Sequence, residues 1–429
     1  MDMISSLPDC LLHLIMSFLT AQDAVRTCIL SKRWKNLWTT LPFLDFDLSK
    51  FDYDGKIDDF EQRSKKFDKF RDFVCMTLEH REASYLQRFH LSCTEMSKFN
   101  DSYDMFIQSC ICYALKHNLQ WLKIDYELFS PPPLGVFTCA SLVDVSLFSF
   151  FPYSIRAQGN SIDVINLPCL RRLYLRGFIL YQDFVNKLFS GCPVLEFLHL
   201  ENCEMNFSTV NTQSLKYLKV VCSGKCRKAL EKRTGQLINT PNLLSFYLRI
   251  CPRIIGDKML LKMPSLTSAV FDVHMPKYSS YAGKSNMIFG LSNVQSLILC
   301  GTGIIMDLLE NGLLNCPEFS NLKDLSVKGL CLYHHFSSLV SFLNLCPNLE
   351  KLSLSHHDNC CWVHACGNQE PLRMASFKCK LLKTVDVKFF KSDSKSLQIV
   401  KYLRDITFNS IVEINMSSHS DSCLTSLHW

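Results

Sequence analysis

Phe184-Val185-Asn186-Lys187-Leu188-Phe189-Ser190-Gly191-Cys192-Pro193-Val194-Leu195-Glu196-Phe197-Leu198-His199-Leu200-Glu201-Asn202-Cys203 carries both halves of one structural unit. Phe184, Val185, Leu188 and Phe189 recur at helical spacing and predict one apolar face. Gly191-Cys192-Pro193 ends that helix, because proline lacks the N–H that would extend it. Leu195, Leu198 and Leu200 then follow an L-x-x-L-x-L pattern, whose last two leucines share one side of an extended strand. Cys203 falls at the turn after the strand, where a small side chain can tolerate inward-facing backbone groups.

Outward from this unit the pattern returns along most of the chain. Copies begin at Leu119, Leu142, Leu170, Leu195, Leu215, Leu243, Leu266, Val294, Leu322, Leu349 and Leu382, with an irregular one at Leu86/Phe89/Leu91. Chance matches are common in so apolar a chain, so the spacing decides. Between successive starts lie 20 to 33 residues, close to the leucine-rich period of about 20–29. The intervening segments agree: Ile305, Leu308 and Leu309 precede Cys316-Pro317, and Phe336, Leu339, Val340 and Leu343 precede Cys346-Pro347. One strand plus one helix cannot bury its own apolar face, so the units must stack. The expected fold is α/β, a curved leucine-rich-repeat solenoid with a parallel sheet on the concave face and helices and loops on the convex face.

The amino end reads differently. Pro8 suits the first turn of a helix and Asp9 complements its dipole. Leu11, Leu12, Ile15, Phe18 and Leu19 follow at helical spacing. Thr20 and Asp23 have capping-box spacing, which predicts a second helix from Ala21 carrying Val25, Cys28 and Ile29 inward. Ser31 can cap a third short helix bearing Trp34 and Trp38. Three such helices cannot enclose this much apolar surface, and segments of about 40 residues usually need a partner, metal or disulfide. Beyond them, Phe60, Phe67, Phe70, Phe73, Val74 and Leu78 predict an amphipathic helix between Asp58 and Arg81.

Residues 1–46 closely resemble an F-box, on Leu7-Pro8, Leu11/Leu12/Ile15, Val25-Arg26, Ser31-Lys32-Arg33-Trp34 and Trp38; Cys10 stands where a second acidic residue is common. The stretch from Leu188 to Cys203 resembles the repeats of plant F-box/leucine-rich-repeat proteins. Cys379-Lys380-Leu381-Leu382-Lys383-Thr384-Val385 and Ile399-Val400-Lys401-Tyr402-Leu403 look like part of the FBD region of many such proteins, although Lys391 replaces a usual Gly. The resemblance implies a three-helix F-box at 1–46, a helical linker at 47–84, a solenoid at 85–378 and an FBD-like cap at 379–429. It also implies docking on a Skp-type adaptor and, through it, a cullin–RING module. The expected anchors are Leu7, Pro8, Leu11, Leu12, Ile15, Leu19, Val25, Leu30, Trp34 and Trp38, with Trp34 or Leu11 as hot spots. Lys32 and Arg33 read as the solvated rim of that interface.

Composition narrows the alternatives. The 429 residues are 48% hydrophobic and 20% charged with a net charge of +6, a globular profile without the clustered basic stripe of a nucleic-acid binder. No run of about 18 apolar residues suggests a membrane span, and Met1-Asp2-Met3 does not open a secretory signal. The 22 cysteines then read as small buried hydrophobes of a cytoplasmic or nuclear protein.

Enzyme signatures are weak. His356-His357-Asp358-Asn359-Cys360-Cys361 with His364 and Cys366 offers zinc-type ligands but in no familiar spacing. Cys222/Cys226 and Cys110/Cys112 read as core or loop thiols, and Gly301-x-Gly303 lacks the rest of a phosphate loop. The expectation is therefore a non-catalytic substrate receptor of a ubiquitin ligase, with no metal or cofactor, whose repeats bind a protein target. A leucine-rich scaffold without a ligase role is the alternative. Arg171, Arg172, Tyr174, Glu196, Phe197 and His199, at the variable strand positions, are the candidate target contacts.

Overall fold

The computed structural model describes residues 4, 6–53, 60–94, 101–128, 130–155, 164–222, 236–250, 259–273, 290–301, 316–330, 332–356, 381–389, 394–406 and 411–416. The chain divides into two compact units, Met1–Asn206 and Phe207–Trp429.

The first unit opens with α1 (Asp9–Met16) and α2 (Ala21–Arg26). Pro8 sits at the N-cap of α1 and Asp9 in its first turn. Thr20 caps α2, its hydroxyl oxygen accepting from the Asp23 N–H at 3.2 Å and the hydroxyl donating to the Asp23 carboxylate at 2.9 Å. The expected third helix is instead a 3-10 segment, Trp34–Thr40, whose three-residue turn lets Trp34 and Leu37 face inward together. There follow β1 (Phe43–Asp47), α3 (Phe60–Glu79), β2 (Arg88–Ser92), α4 (Asp101–Leu115), β3 (Trp121–Leu128), β4 (Asp144–Ile155), β5 (Arg172–Tyr181), α5 (Gln182–Gly191), β6 (Phe197–Glu201) and β7 (Glu204–Asn206). Strands β1 to β6 pair in chain order, all parallel, and β7 adds to β5.

Register explains the repeated pattern. Leu44, Phe89, Leu122, Val145, Leu173 and Leu198 are successive cross-strand partners, and all are buried. A sheet whose inner row is apolar in every strand fixes its own alignment, since a one-residue slip would turn each row to solvent. Against this apolar row pack α3, through Phe67, Phe70 and Val74, and α5, through Phe184, Val185 and Leu188. The helix expected between Asp58 and Arg81 is thus present, whereas β1 and α4 were not expected. Gly177 sits at φ +79° opposite the register shift of β4, where an added Cβ would lie 2.1 Å from the Ser149 carbonyl oxygen. Only glycine fits there.

The second unit contains β8 (Thr209–Asn211), β9 (Tyr217–Val221), β10 (Gln236–Asn239), β11 (Ser245–Ile250), β12 (Met259–Lys262), β13 (Ser268–Val273), β14 (Ser296–Cys300), β15 (Asp324–Leu330), α6 (Leu332–Leu343), β16 (Lys351–His356), β17 (Thr384–Phe389), α7 (Ser394–Ile406) and β18 (Ile411–Met416). Strands β9, β11, β13, β14, β15, β16, β17 and β18 form one parallel sheet. Val220, Leu248, Phe271, Leu299, Val327, Leu354, Val387 and Ile414 align as one row. The short strands β8, β10 and β12 make a separate three-stranded parallel sheet, so helices are not the sole backing of the repeats. Phe336, Leu339, Val340 and Leu343 of α6 are buried as their spacing requires, and the FBD-like stretch Ile399–Leu403 lies in α7. The helix expected from Ile305, Leu308 and Leu309 lies outside the described residues.

The Gly191-Cys192-Pro193 and Leu345-Cys346-Pro347 stops both close on a buried cysteine, the first with an i→i−4 bond and the second with a tighter i→i−3 bond. The Cys192 N–H reaches the Leu188 carbonyl at 2.9 Å, and the Cys346 N–H the Leu343 carbonyl at 2.9 Å. Both thiols are fully buried, and burial pushes that of Cys192 up to about 12. Cys203 is buried and donates to the Leu175 carbonyl at 3.3 Å, as its turn position demands.

Candidate functional site

A small core closes the amino-terminal helices. Leu12, Met16, Ala24, Trp34, Leu37 and Leu41 form it, with Leu7, Leu19, Trp38 and Phe43 packed partly buried against it. Leu12 and Met16 therefore mark the inward face of α1, with Leu19 following past its end. Leu11, Leu14 and Ile15 lie on the outward face, Phe18 continues their i, i+3, i+4, i+7 spacing in the turn that follows, and all four are exposed. Ile29 and Leu30, in the turn after α2, are exposed as well. Phe18 stands 83% and Ile29 85% open, against 3% for Trp34. A helix with apolar side chains on more than one face needs more than one neighbour to cover them. Here the interior covers one side only.

The ten expected anchors therefore separate. Leu11, Ile15 and Leu30 are exposed with Pro8, while Leu7, Leu19, Val25 and Trp38 are partly covered. Leu12 and Trp34 lie inside the core, so they shape the surface and do not present it. The reason is steric: the 3-10 segment turns the Trp34 indole onto α1. Leu14, Phe18 and Ile29 take the outward places; the signal in the sequence was an α1 too apolar for one face. The rim is charged, with Lys32 exposed, Arg33 paired to Asp9, and Arg26 bridging to Asp52 at 2.7 Å.

The outer strand face of the first unit carries the other candidate contacts. Register sets Arg172 beside Phe197 and Tyr174 beside His199, with Arg171 and Glu196 immediately before their strands. Tyr174 stacks edge-on to Phe148 at 5.3 Å and to His199 at 4.4 Å, and donates to Glu201. Arg171 reaches Glu196 at 3.5 Å. Arg172, Tyr174, Phe197 and His199 thus share one sheet face, alternating with the buried Leu173 and Leu198, while Arg171 and Glu196 pair at the edge where these strands begin.

One cluster there escaped the sequence. His90 on β2 lies between Asp45 of β1, 2.7 Å from Nδ1, and Asp125 of β3, 2.9 Å from Nε2. Burial opposes the imidazolium, but the hydrogen bonds to Asp125 and Asp45 outweigh it and push the pKa up to about 9. Burial likewise works against the Asp125 carboxylate, yet His90 and Lys123 hold its pKa below the ordinary value. Recognising Leu41/Leu44/Phe46 as one more copy of the pattern would have aligned Asp45 with His90.

Of the zinc-type constellation, His356 ends β16, is buried, and its Nδ1 accepts from the Leu332 N–H at 3.2 Å at the start of α6; the residues from His357 to Cys366 lie outside the described ones. Among the described residues no set of three His, Cys, Asp or Glu is disposed to hold a metal, and no helix is long and apolar enough to cross a membrane.

Comparison with known proteins agrees with this architecture. The F-box domain family matches residues 4–46. The family described as "At1g61320/AtMIF1, LRR domain" matches residues 78–407, well over half of the chain. An Arabidopsis thaliana F-box/LRR-repeat protein, At4g14103, is 30% identical over 82% of this chain and 91% of its own length. The putative F-box/LRR-repeat protein At3g59160 of the same plant is 28% identical over 83% of each chain. The F-box/FBD/LRR-repeat protein At5g53840, also from Arabidopsis thaliana, is 28% identical over 82% of this chain and 74% of its own. With an F-box core at its amino end and parallel leucine-rich strands behind it, the chain belongs to the plant F-box/leucine-rich-repeat family.

Proposed function

We propose that this protein is the substrate-receptor subunit of an SCF-type ubiquitin ligase. The outward face of α1, with Ile29 and Leu30, docks on a Skp-type adaptor and through it on a cullin–RING module. The repeats hold a protein target. The chain itself makes and breaks no bond; it raises the effective concentration of target lysines at the ubiquitin-carrying enzyme. One observation carries the reading: a folded F-box core leaves a continuous apolar stripe, Leu11, Leu14, Ile15 and Phe18, open to solvent. Such patches on soluble domains mark partner surfaces.

The test is capture of a purified Skp-type adaptor by the full chain. Leu14→Asp with Phe18→Asp should abolish capture, because each would bury a charge in the interface, while leaving the thermal midpoint unchanged. Undiminished capture by this double variant overturns the assigned interface.

A further inference from the structure

We infer that the first unit's sheet, at the end where its strands begin, receives an extended acidic segment of the target: two carboxylates four residues apart with an apolar side chain midway between them. This deepens the target-holding role proposed above and rests on it.

Register lines up Arg88 of β2, Trp121 of β3, Asp144 of β4 and Arg172 of β5 as successive partners. They alternate with the buried Phe89, Leu122, Val145 and Leu173, so the row faces away from the core. Trp121 keeps 43% of its surface open, unusual for so large a ring. The Arg88 guanidinium lies over the Phe43 ring at 5.6 Å and that of Arg172 over Trp121 at 5.9 Å. These cation–π contacts hold the guanidinium groups against the rings and leave N–H donors for an oxygen ligand.

Those donors have capacity to spare. Arg172 meets Asp144 and Arg171 meets Glu196 at long contacts of 3.5 Å each, and the two arginine side chains stay 60% and 58% exposed. Among the described residues Arg88 makes no ion pair. Three guanidinium groups thus face two carboxylates. Further along the strands the charges close on one another: His90 is held by Asp45 and Asp125, and Arg176 lies 3.6 Å from Glu201. Complementarity therefore selects an acidic partner at this end of the face and excludes a basic one, which would meet arginines.

Spacing sharpens the motif. Arg88 and Arg172 are three strands apart, about 14 Å at roughly 4.8 Å per strand. A peptide crossing the strands in extended form advances about 3.4 Å per residue, so carboxylates at positions i and i+4 reach both arginines. Alternate side chains share a side, which sets the residue at i+2 about 7 Å along, between Trp121 and Asp144, where an aliphatic or aromatic group reaches the open indole.

A random dodecapeptide display library, selected on the full-length protein, should enrich Asp or Glu at i and i+4 with an apolar residue at i+2. In fluorescence anisotropy the labelled peptide Gly-Glu-Ala-Leu-Ala-Glu-Gly should bind at least about tenfold more tightly than its counterpart with Gln for both Glu, and lose that advantage in high salt. Arg88→Gln, Arg172→Gln and Trp121→Ala, all at exposed positions, should each weaken it by about three- to tenfold. A basic consensus, no enrichment, equal affinity for the Gln peptide, or indifference to the three substitutions would each overturn the inference. Adaptor capture by the same preparations is a separate readout: its loss with peptide preference intact would indict the ligase role and not this surface.

Discussion

Replacing His90 with glutamine should cost stability in a way that fades as pH rises. The imidazole bridges three strands, β1, β2 and β3, through Asp45 at 2.7 Å and Asp125 at 2.9 Å. Its pKa moves from 6.5 to about 9 in the fold, and each pH unit is worth about 1.36 kcal/mol. The ceiling is therefore about 3 kcal/mol; with the imidazole side chain 26% exposed, solvent screening lowers this to roughly 1–2 kcal/mol. Because the folded pKa lies above the unfolded one, the contribution is complete below pH 6.5 and disappears as pH climbs through 9. Glutamine keeps hydrogen-bonding capacity but no charge. Urea unfolding of the native protein and His90→Gln, followed by far-ultraviolet circular dichroism between about pH 6 and pH 9.5, gives the difference directly, and other titrating groups cancel between the two proteins. A stability gap independent of pH, or one that widens toward alkaline pH, would refute the imidazolium bridge between Asp45 and Asp125.

Trp34→Ala should unfold or strongly loosen the amino-terminal helices, at a cost of about 3–5 kcal/mol, visible as a lowered thermal midpoint that Leu14→Asp does not share. Gly177→Ala should sharply cut soluble yield and lower the midpoint, since both the φ of +79° and the 2.1 Å approach to Ser149 forbid a Cβ and strain of this kind costs about 1–3 kcal/mol; a midpoint equal to that of the native protein would mean the strand pair can re-register.

The repeats were legible because each strand spends its two inward positions on apolar side chains, and parallel stacking makes those positions coincide from strand to strand. Leu122, Val145, Leu173 and Leu198, read from four separate copies, are direct cross-strand partners. Face assignment in α1 was not legible: with Leu11, Leu12, Leu14, Ile15, Met16, Phe18 and Leu19 in sequence, periodicity names no single side, and only the position of Trp34 shows which side is filled. Strand β1 was hidden for a different reason. Leu41 serves the helical core and also starts the Leu41/Leu44/Phe46 pattern, so this copy of the repeat begins inside the F-box stretch and does not stand apart from it. The small sheet of β8, β10 and β12 has strands of three or four residues, too short to leave an alternation that stands out from loop sequence.

That double service of Leu41 has a mechanical outcome. The Glu82 N–H reaches the Thr39 carbonyl at 2.9 Å, the Arg88 N–H reaches that of Pro42 at 3.1 Å, and Leu44 already pairs with Phe89. Backbone bonding therefore runs directly from the end of the helices into the first strands. Under the proposed function, a target held on these strands would be joined to the helices through these backbone bonds.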